Sequence, residues 1–314
     1  MLFLRRSIVT PVAVLALLAV LVLSPLAGCG GGPTEDYDKP DAMMTSLRDA
    51  VVNDDPLLLW NALPTSWRTD MNGLVHTFGE KIDGPAYDAL MRTARRIVTM
   101  LSDKKQFILN TPMLKMAMSQ AGNDAKALTD NYDLIVTILK AMVDSDLGTA
   151  EGLKKADLGN IVKTYGPKVM RLVKQLVTLE VPGEPADFAQ MRKFFAGAKD
   201  MTVTVESTDG KTAKVKVSMP ALGDDTVTMD KVGDRWVPEQ FAKEFPSSLS
   251  DAKKALQSAD MEDMNKALLQ AQMALPMINK AMEPLEKATT QDEFDAAVMQ
   301  AMNSLMQMQQ PGGG

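Results

Sequence analysis

The period of the apolar residues changes twice along this chain, and this change limits the folds that are open to it. Between residues 41 and 180, apolar side chains recur every three or four positions, which is the spacing of an amphipathic helix. Residues 201–241 alternate apolar and polar side chains instead, as half-buried strands do. Helical spacing returns over 246–308. We therefore predict an α+β fold that is predominantly α-helical, with a helical body, a small antiparallel β-meander and C-terminal helices.

The strand region also contains turn signals. Asp209-Gly210 is typical of a two-residue hairpin turn, and a second tight turn is predicted at Gly233. Pro238 lacks a backbone donor, so we expect the last strand at an edge of the sheet.

The C-terminal helices contain the longest apolar seam, which runs from Met261 to Leu285 in steps of three and four residues. Pro276 and Pro284 interrupt this seam. We therefore predict kinked helices that dock on the 41–180 helices of the same chain, and a monomer rather than a two-chain coiled coil.

The N-terminal segment has the parts of an export signal. Arg5 and Arg6 form a basic start, and an apolar stretch from Ile8 to Leu23 and then small residues follow. The apolar stretch is slightly shorter than the roughly 20 residues that a membrane span needs. This pattern predicts a signal peptide over 1–28, with an uncleaved membrane anchor or plain secretion as alternatives.

Four residues at the end of this segment resemble a known modification site. Leu26-Ala27-Gly28-Cys29 is similar to the lipobox of bacterial lipoproteins, in which the cysteine sulfur receives a diacylglyceryl group and becomes the new N-terminus. The resemblance implies lipidation of Cys29, with fatty acids such as palmitate. It also implies that the mature domain lies outside the cytoplasm, anchored on the cell membrane or the outer membrane.

Two short stretches have the composition of linkers rather than of folded elements. Glycine, proline and acidic residues dominate 29–40, which predicts a flexible tether behind the lipid. The glycine-rich stretch 309–314 predicts a flexible tail.

The charge balance argues against nucleic acid as a partner. The chain has 34 basic and 40 acidic side chains, a net charge of −6. Loss of Arg5 and Arg6 with the signal peptide leaves about −8 on the mature chain. Phosphate backbones require a basic stripe, which this sequence does not have. The one cysteine is used by the lipid, so no disulfide is expected in the mature chain.

The sequence contains no motif that predicts a cofactor, a metal site or a catalytic nucleophile. Gly210-Lys211-Thr212 lacks the earlier glycine of a P-loop. The stretch that begins at Asp144 lacks the glycine and glutamate of a calcium loop, so we interpret it as a helix junction. His76 is the only histidine, and we expect it at a helix surface or boundary.

Methionine is unusually frequent, at 24 of 314 residues. We interpret most of these side chains as filler of an irregular core or as a pliable groove, because methionine adapts to uneven gaps. A copper-handling module is an alternative, since copper(I) prefers sulfur ligands. The groups that this alternative would use are Met113-Met116-Met118 and Met299-Met302-Met306-Met308.

Two stretches of the mature chain resemble parts of known domains. Residues 46–78 resemble the opening helices of small envelope domains. Residues 202–241, with DGKTAKVKV and VGDRWVPEQF, resemble the closing strands of the nuclear-transport-factor-like α+β cone, a domain that many bacterial lipoproteins carry. The resemblance implies a fold and no particular activity.

Together these features lead to a hypothesis on function. We expect a membrane-anchored, non-enzymatic envelope lipoprotein that binds a protein partner or a ligand. The alternative is a carboxylate-based envelope hydrolase that uses an acidic pair such as Asp54-Asp55 or Asp224-Asp225, because two carboxyl groups can act as acid and base.

Overall fold

The computed structural model describes residues 37–121, 129–177, 186–220 and 222–309. Several predicted features lie outside the described residues: the signal peptide 1–28, the lipobox with Cys29, the tether up to residue 36, and the tail from residue 310 onward.

The predicted α+β, predominantly α-helical fold is confirmed. The helices are α1 (Ala42–Val52), α2 (Leu57–Ala62), α3 (Thr65–Lys81), α4 (Gly84–Asp103), α5 (Lys105–Asn110), α6 (Pro112–Ala121), α7 (Tyr132–Asp144), α8 (Ala150–Leu153), α9 (Leu158–Val177), α10 (Ala186–Gly197), α11 (Glu239–Gln257), α12 (Ala259–Lys287) and α13 (Gln291–Gln309). The strands are β1 (Thr202–Thr208), β2 (Thr212–Met219), β3 (Gly223–Val232) and β4 (Arg235–Pro238).

The described chain forms two compact units, and each is built from two separate stretches. The first unit comprises 37–81 and 153–264 and contains the sheet. The second comprises 82–152 and 265–309 and is helical.

The strands of the first unit form one antiparallel sheet in the order β1-β2-β3-β4, which is the predicted meander. Val215 pairs with Val205 on one side and with Val227 on the other, and its side chain is fully buried. Gly210 has a φ of 88° and forms the predicted hairpin turn, since glycine adopts this left-handed backbone without strain. Pro238 ends β4 at the edge of the sheet, as predicted.

An aromatic cluster and a helix cap hold α3 in the first unit. Trp67 of α3 stacks on Phe245 of α11 with 4.3 Å between ring centroids, and it meets Phe241 edge-on at 5.2 Å. Asp234, in the turn between β3 and β4, accepts hydrogen bonds from Thr65 N and Oγ1 at 3.1 and 2.7 Å. The last hairpin of the sheet therefore caps the first turn of α3.

The last four residues of the predicted tether belong to the fold, so the tether prediction is wrong for 37–40. The carbonyl of Asp38 accepts a hydrogen bond from Trp236 Nε1 at 3.0 Å. The Arg235 guanidinium lies over the Tyr37 ring, 5.2 Å from its centroid. Although the composition is that of a linker, the Asp38 carbonyl and the Tyr37 ring both contact residues of β4.

Helices α4 and α7 form a core of the second unit. Val98 of α4 and Val143 of α7 share a buried apolar cluster. After α7 the chain makes a 3₁₀ turn over Asp146–Gly148, and the Tyr87 hydroxyl donates a hydrogen bond to the Leu147 carbonyl at 2.6 Å. This stretch is therefore the helix junction that the sequence predicts.

Helix α12 continues through Pro276 and Pro284, so these prolines do not divide the seam between separate helices. A proline inside a helix removes a hydrogen bond and crowds the preceding turn, but burial of an apolar seam offsets that cost. In this seam Leu275 is buried and Leu268 is half-buried. Met273, on the other side of the helix, is 82% exposed.

Two residues of α12 test the burial of the seam. Leu275→Ala should lower the free energy of unfolding by about 2–5 kcal/mol, because truncation of a buried leucine leaves a cavity. Met273→Ala should change it by less than about 0.5 kcal/mol, since this side chain is solvated. Chemical denaturation measures both values. Equal losses in the two variants would contradict the seam.

Two glycines test the helix junction. A Cβ atom on Gly148 would lie 2.0 Å from the Val143 carbonyl oxygen, whereas one on Gly73 of α3 would meet nothing within 4 Å. We expect Gly148→Ala to destabilise the protein by at least about 1–3 kcal/mol through overpacking. The control Gly73→Ala should stabilise it by about 0.5–1 kcal/mol, the gain of alanine over glycine in a helix. A neutral Gly148→Ala variant in thermal unfolding would show that the junction is looser than described.

Candidate functional site

The one histidine of the chain has a structural position. His76 of α3 is half-buried, and its Nε2 lies 2.9 Å from the carbonyl oxygen of Ala156. That distance makes Nε2 the protonated nitrogen, because a carbonyl only accepts. One turn earlier, Asn72 Oδ1 accepts a hydrogen bond from Leu158 N at 2.9 Å. These two side chains join α3 to the segment around the start of α9.

The acidic pairs considered for a hydrolase have structural partners. Asp54 forms an ion pair with Lys174 at 2.5 Å, and Asp55 accepts a hydrogen bond from a backbone amide of α2 at 3.1 Å. Asp224 pairs with Lys216 at 2.6 Å, and this hydrogen bond lowers the pKa of Asp224. Asp54, Asp55 and Asp224 therefore each take part in a contact that stabilises the fold.

The methionines of the copper alternative divide between surface and interior. Met113 is 48% exposed, and Met116 and Met299 are each 60% exposed. Met302 is half-buried. The side chains of Met118, Met306 and Met308 lie outside the described part of the chain. Among the described residues, no group of three or more His, Cys, Asp and Glu side chains lies close enough together to hold a metal ion.

A cavity on α4 brings more charged side chains together than these residues do. It has a volume of about 480 Å³ and lies in the second unit. Its wall follows α4 and the residue after it from Arg92 to Lys104, and Glu286 of α12 completes it. Arg92, Arg95 and Arg96 are spaced to lie on one face of α4. We refer to it as the arginine cavity.

Arg96 is fixed by a two-point contact. Its Nε and Nη2 atoms donate hydrogen bonds to Glu286 Oε1 and Oε2 at 2.5 and 2.6 Å, and Nη1 donates to Asn279 Oδ1 at 3.1 Å. The hydrogen bond to Glu286 raises the pKa of Arg96. Parallel hydrogen bonds of this kind hold the guanidinium plane in one orientation.

Arg95 is fixed from the other side by the end of α7. Its Nε donates to Asp144 Oδ1 at 3.0 Å, and its Nη2 donates to the Val143 carbonyl. Lys140 and then Arg95 hold the pKa of Asp144 below its usual value of 3.8 through hydrogen bonds. Arg95 still has donors on Nη1, because a guanidinium carries five N–H groups.

The two remaining cations of the cavity wall have no carboxylate partner among the described residues. Lys104 Nζ donates to the Ala288 carbonyl at 2.6 Å and lies 5.8 Å from the centroid of the Phe107 ring. Arg92 is exposed, and no hydrogen bond or ion pair holds it within the described ranges. The wall thus combines fixed guanidiniums with a free one. Guanidinium groups of this kind can donate hydrogen bonds to an anion.

Sequence reasoning missed this site, although part of its signal was present. Arg92, Arg95 and Arg96 stand three and four residues apart on the side of α4 opposite its apolar stripe. A polar helix face is normally a solvated face, so the pattern alone does not indicate a cavity.

Comparison with protein-family models, with curated proteins and with solved structures found no match to the chain. Among the helices of the described residues, none combines the length and the hydropathy that a membrane span requires.

The lowered pKa of Asp144 predicts a pH dependence. A carboxyl group whose pKa is lower in the folded state stabilises the fold above its unfolded pKa, and this contribution is lost as the pH falls through the folded pKa. Asp144→Asn should therefore destabilise the protein near pH 6 and make little difference near about pH 2. Denaturant unfolding at both pH values measures this. An equal loss at both would assign the effect to packing.

Proposed function

We propose that the protein is a lipid-anchored, non-enzymatic lipoprotein of the bacterial cell envelope that binds a ligand or a protein partner. The observation that carries the proposal is Leu26-Ala27-Gly28-Cys29, placed directly after a basic start and an apolar stretch. That order is the one in which an export signal and a lipid-attachment cysteine occur in bacterial lipoproteins.

The physical case for an anchor rests on the number of acyl chains. One chain gives only marginal membrane binding, whereas two or more hold a protein stably. A diacylglyceryl group on Cys29 meets this requirement. Residues 30–36 then remain between Cys29 and Tyr37, where the described residues begin, and a random coil of this length would span roughly 15 Å. The mature domain would accordingly lie close to the headgroups of the cell membrane or the outer membrane, outside the cytoplasm.

The arginine cavity supports a binding role for the mature domain. Ligand sites are concave and carry a few well-placed polar groups. Arg95 and Arg96 are held by contacts with other helices, so little side-chain freedom is lost when an anion binds. A binding site of this kind needs no catalytic group.

Labelling and mass together test the lipid anchor. Cells grown with a fatty-acid analogue should label the wild-type chain, and the intact mass should show loss of residues 1–28 and gain of the lipid. Cys29→Ser should abolish the label, because its hydroxyl does not replace the sulfur. Thr34→Ser, five residues later, is the matched control and should label normally. A label that persists in Cys29→Ser, or a wild-type mass that still includes 1–28, would contradict the proposal.

A further inference from the structure

We propose that the arginine cavity binds a phosphate group, either on a lipid headgroup or on a soluble phosphate compound, and that Arg92 and Arg95 hold it. The inference specifies the ligand of the binding function proposed above and rests on that function. It is independent of the lipid on Cys29.

The spacing of the arginines does not itself stabilise the helix. Arg92, Arg95 and Arg96 stand at positions i, i+3 and i+4 of α4, where side chains are neighbours. Like charges at this spacing destabilise a helix, and the ion pairs of Arg95 with Asp144 and of Arg96 with Glu286 offset this for two of the three arginines. Arg92 is without such a partner among the described residues, and an anion bound beside it would reduce the remaining repulsion. Arginine is also the cation whose planar fork matches phosphate oxygens.

The partners of the three arginines differ, and the difference locates the ligand. Glu286 occupies the Nε–Nη2 edge of Arg96. Arg95 is held by Asp144 and the Val143 carbonyl but keeps its Nη1 donors. Arg92 has all of its donors free with respect to the described residues. An incoming anion therefore meets one fixed and one free guanidinium, on adjacent turns of the same helix.

The acidic residues that line the cavity leave the Arg92 end of its wall positive. Glu286 is engaged by Arg96, and Asp144 engages Arg95. Asp103 also lines the cavity, but it stands eleven residues after Arg92, about 16 Å along the helix axis. Asp88, four residues before Arg92 and outside the cavity wall, accepts a hydrogen bond from Ala150 N at 2.8 Å, so the wall itself places no carboxylate beside Arg92. This arrangement favours an anion over a cation as the ligand.

Phosphate fits this arrangement better than a carboxylate. The Arg96–Glu286 contact shows that one guanidinium fork takes up both oxygens of a carboxylate. A phosphate group has further oxygens in tetrahedral directions, so it can bond two guanidiniums at once. A cavity of about 480 Å³ is larger than a phosphate ion, which leaves room for an attached glycerol or sugar beside Thr99 and Met100.

The test uses the full chain in micelles of a neutral detergent at constant ionic strength. One arm titrates inorganic phosphate by calorimetry. The other adds fluorescent phosphatidylglycerol to the micelles and measures energy transfer from the protein, with labelled phosphatidylcholine for comparison. The variant is Arg92→Gln, and the matched control is Arg171→Gln, which removes the same charge from an exposed site in the first unit. Thermal unfolding verifies that both variants fold.

If the ligand is soluble, we expect saturable binding of inorganic phosphate to the wild-type protein. Arg92→Gln should weaken this binding at least tenfold, which corresponds to a loss of about 1.4 kcal/mol of binding free energy. If the ligand is a lipid headgroup, we expect Arg92→Gln to weaken the binding of phosphatidylglycerol by the same factor, and inorganic phosphate should not bind. Arg171→Gln should leave either result unchanged. The proposal is overturned if neither probe binds, if the two variants behave alike, or if acetate competes as well as phosphate. In that last outcome an anion-binding function would stand while the phosphate assignment would fall.

Discussion

Arg95 connects the fold of the second unit to its cavity, because one side chain serves both. Its guanidinium donates hydrogen bonds to the Val143 carbonyl and the Asp144 carboxylate at the end of α7. The last carbonyls of a helix have no partner inside the helix, and that end of the helix dipole is negative, so a cation there satisfies both. The turn that follows is fastened to α4 through Tyr87, and burial raises the pKa of that hydroxyl to about 12. Arg95 and Tyr87 therefore both connect α4, which forms the cavity wall, to the helix junction after α7.

The sequence predicts those features of the fold that repeat locally. The β-meander, the turn at Gly210 and the edge position of Pro238 follow from alternation and from the backbone preferences of single residues. The arginine cavity does not follow from such patterns. Glu286 lies 190 residues from Arg96, and no local periodicity relates two positions so far apart. The continuation of α12 past Pro276 has a similar origin, because the burial that carries the helix past this proline comes from tertiary packing.

Methionine occurs both in the core and on the surface of this protein. Met44, Met201 and Met229 are fully buried in the first unit, as the core interpretation expects. In the second unit Met113, Met273 and others face solvent. An unbranched thioether side chain is flexible and adapts to the groups that contact it. Helical spacing therefore predicts that a methionine can be core, but the neighbouring elements decide whether it is.

The interleaving of the two units constrains the order in which the chain can assemble. The first unit closes only when 153–264 joins 37–81, and the second only when 265–309 joins 82–152. During synthesis from the N-terminus, each early stretch waits for a partner that is made more than seventy residues later. The helices of 82–152 would spend that interval with part of their apolar surface uncovered. In the lipoprotein that we propose, export of the unfolded chain would remove this interval, because all four stretches would reach the same compartment together.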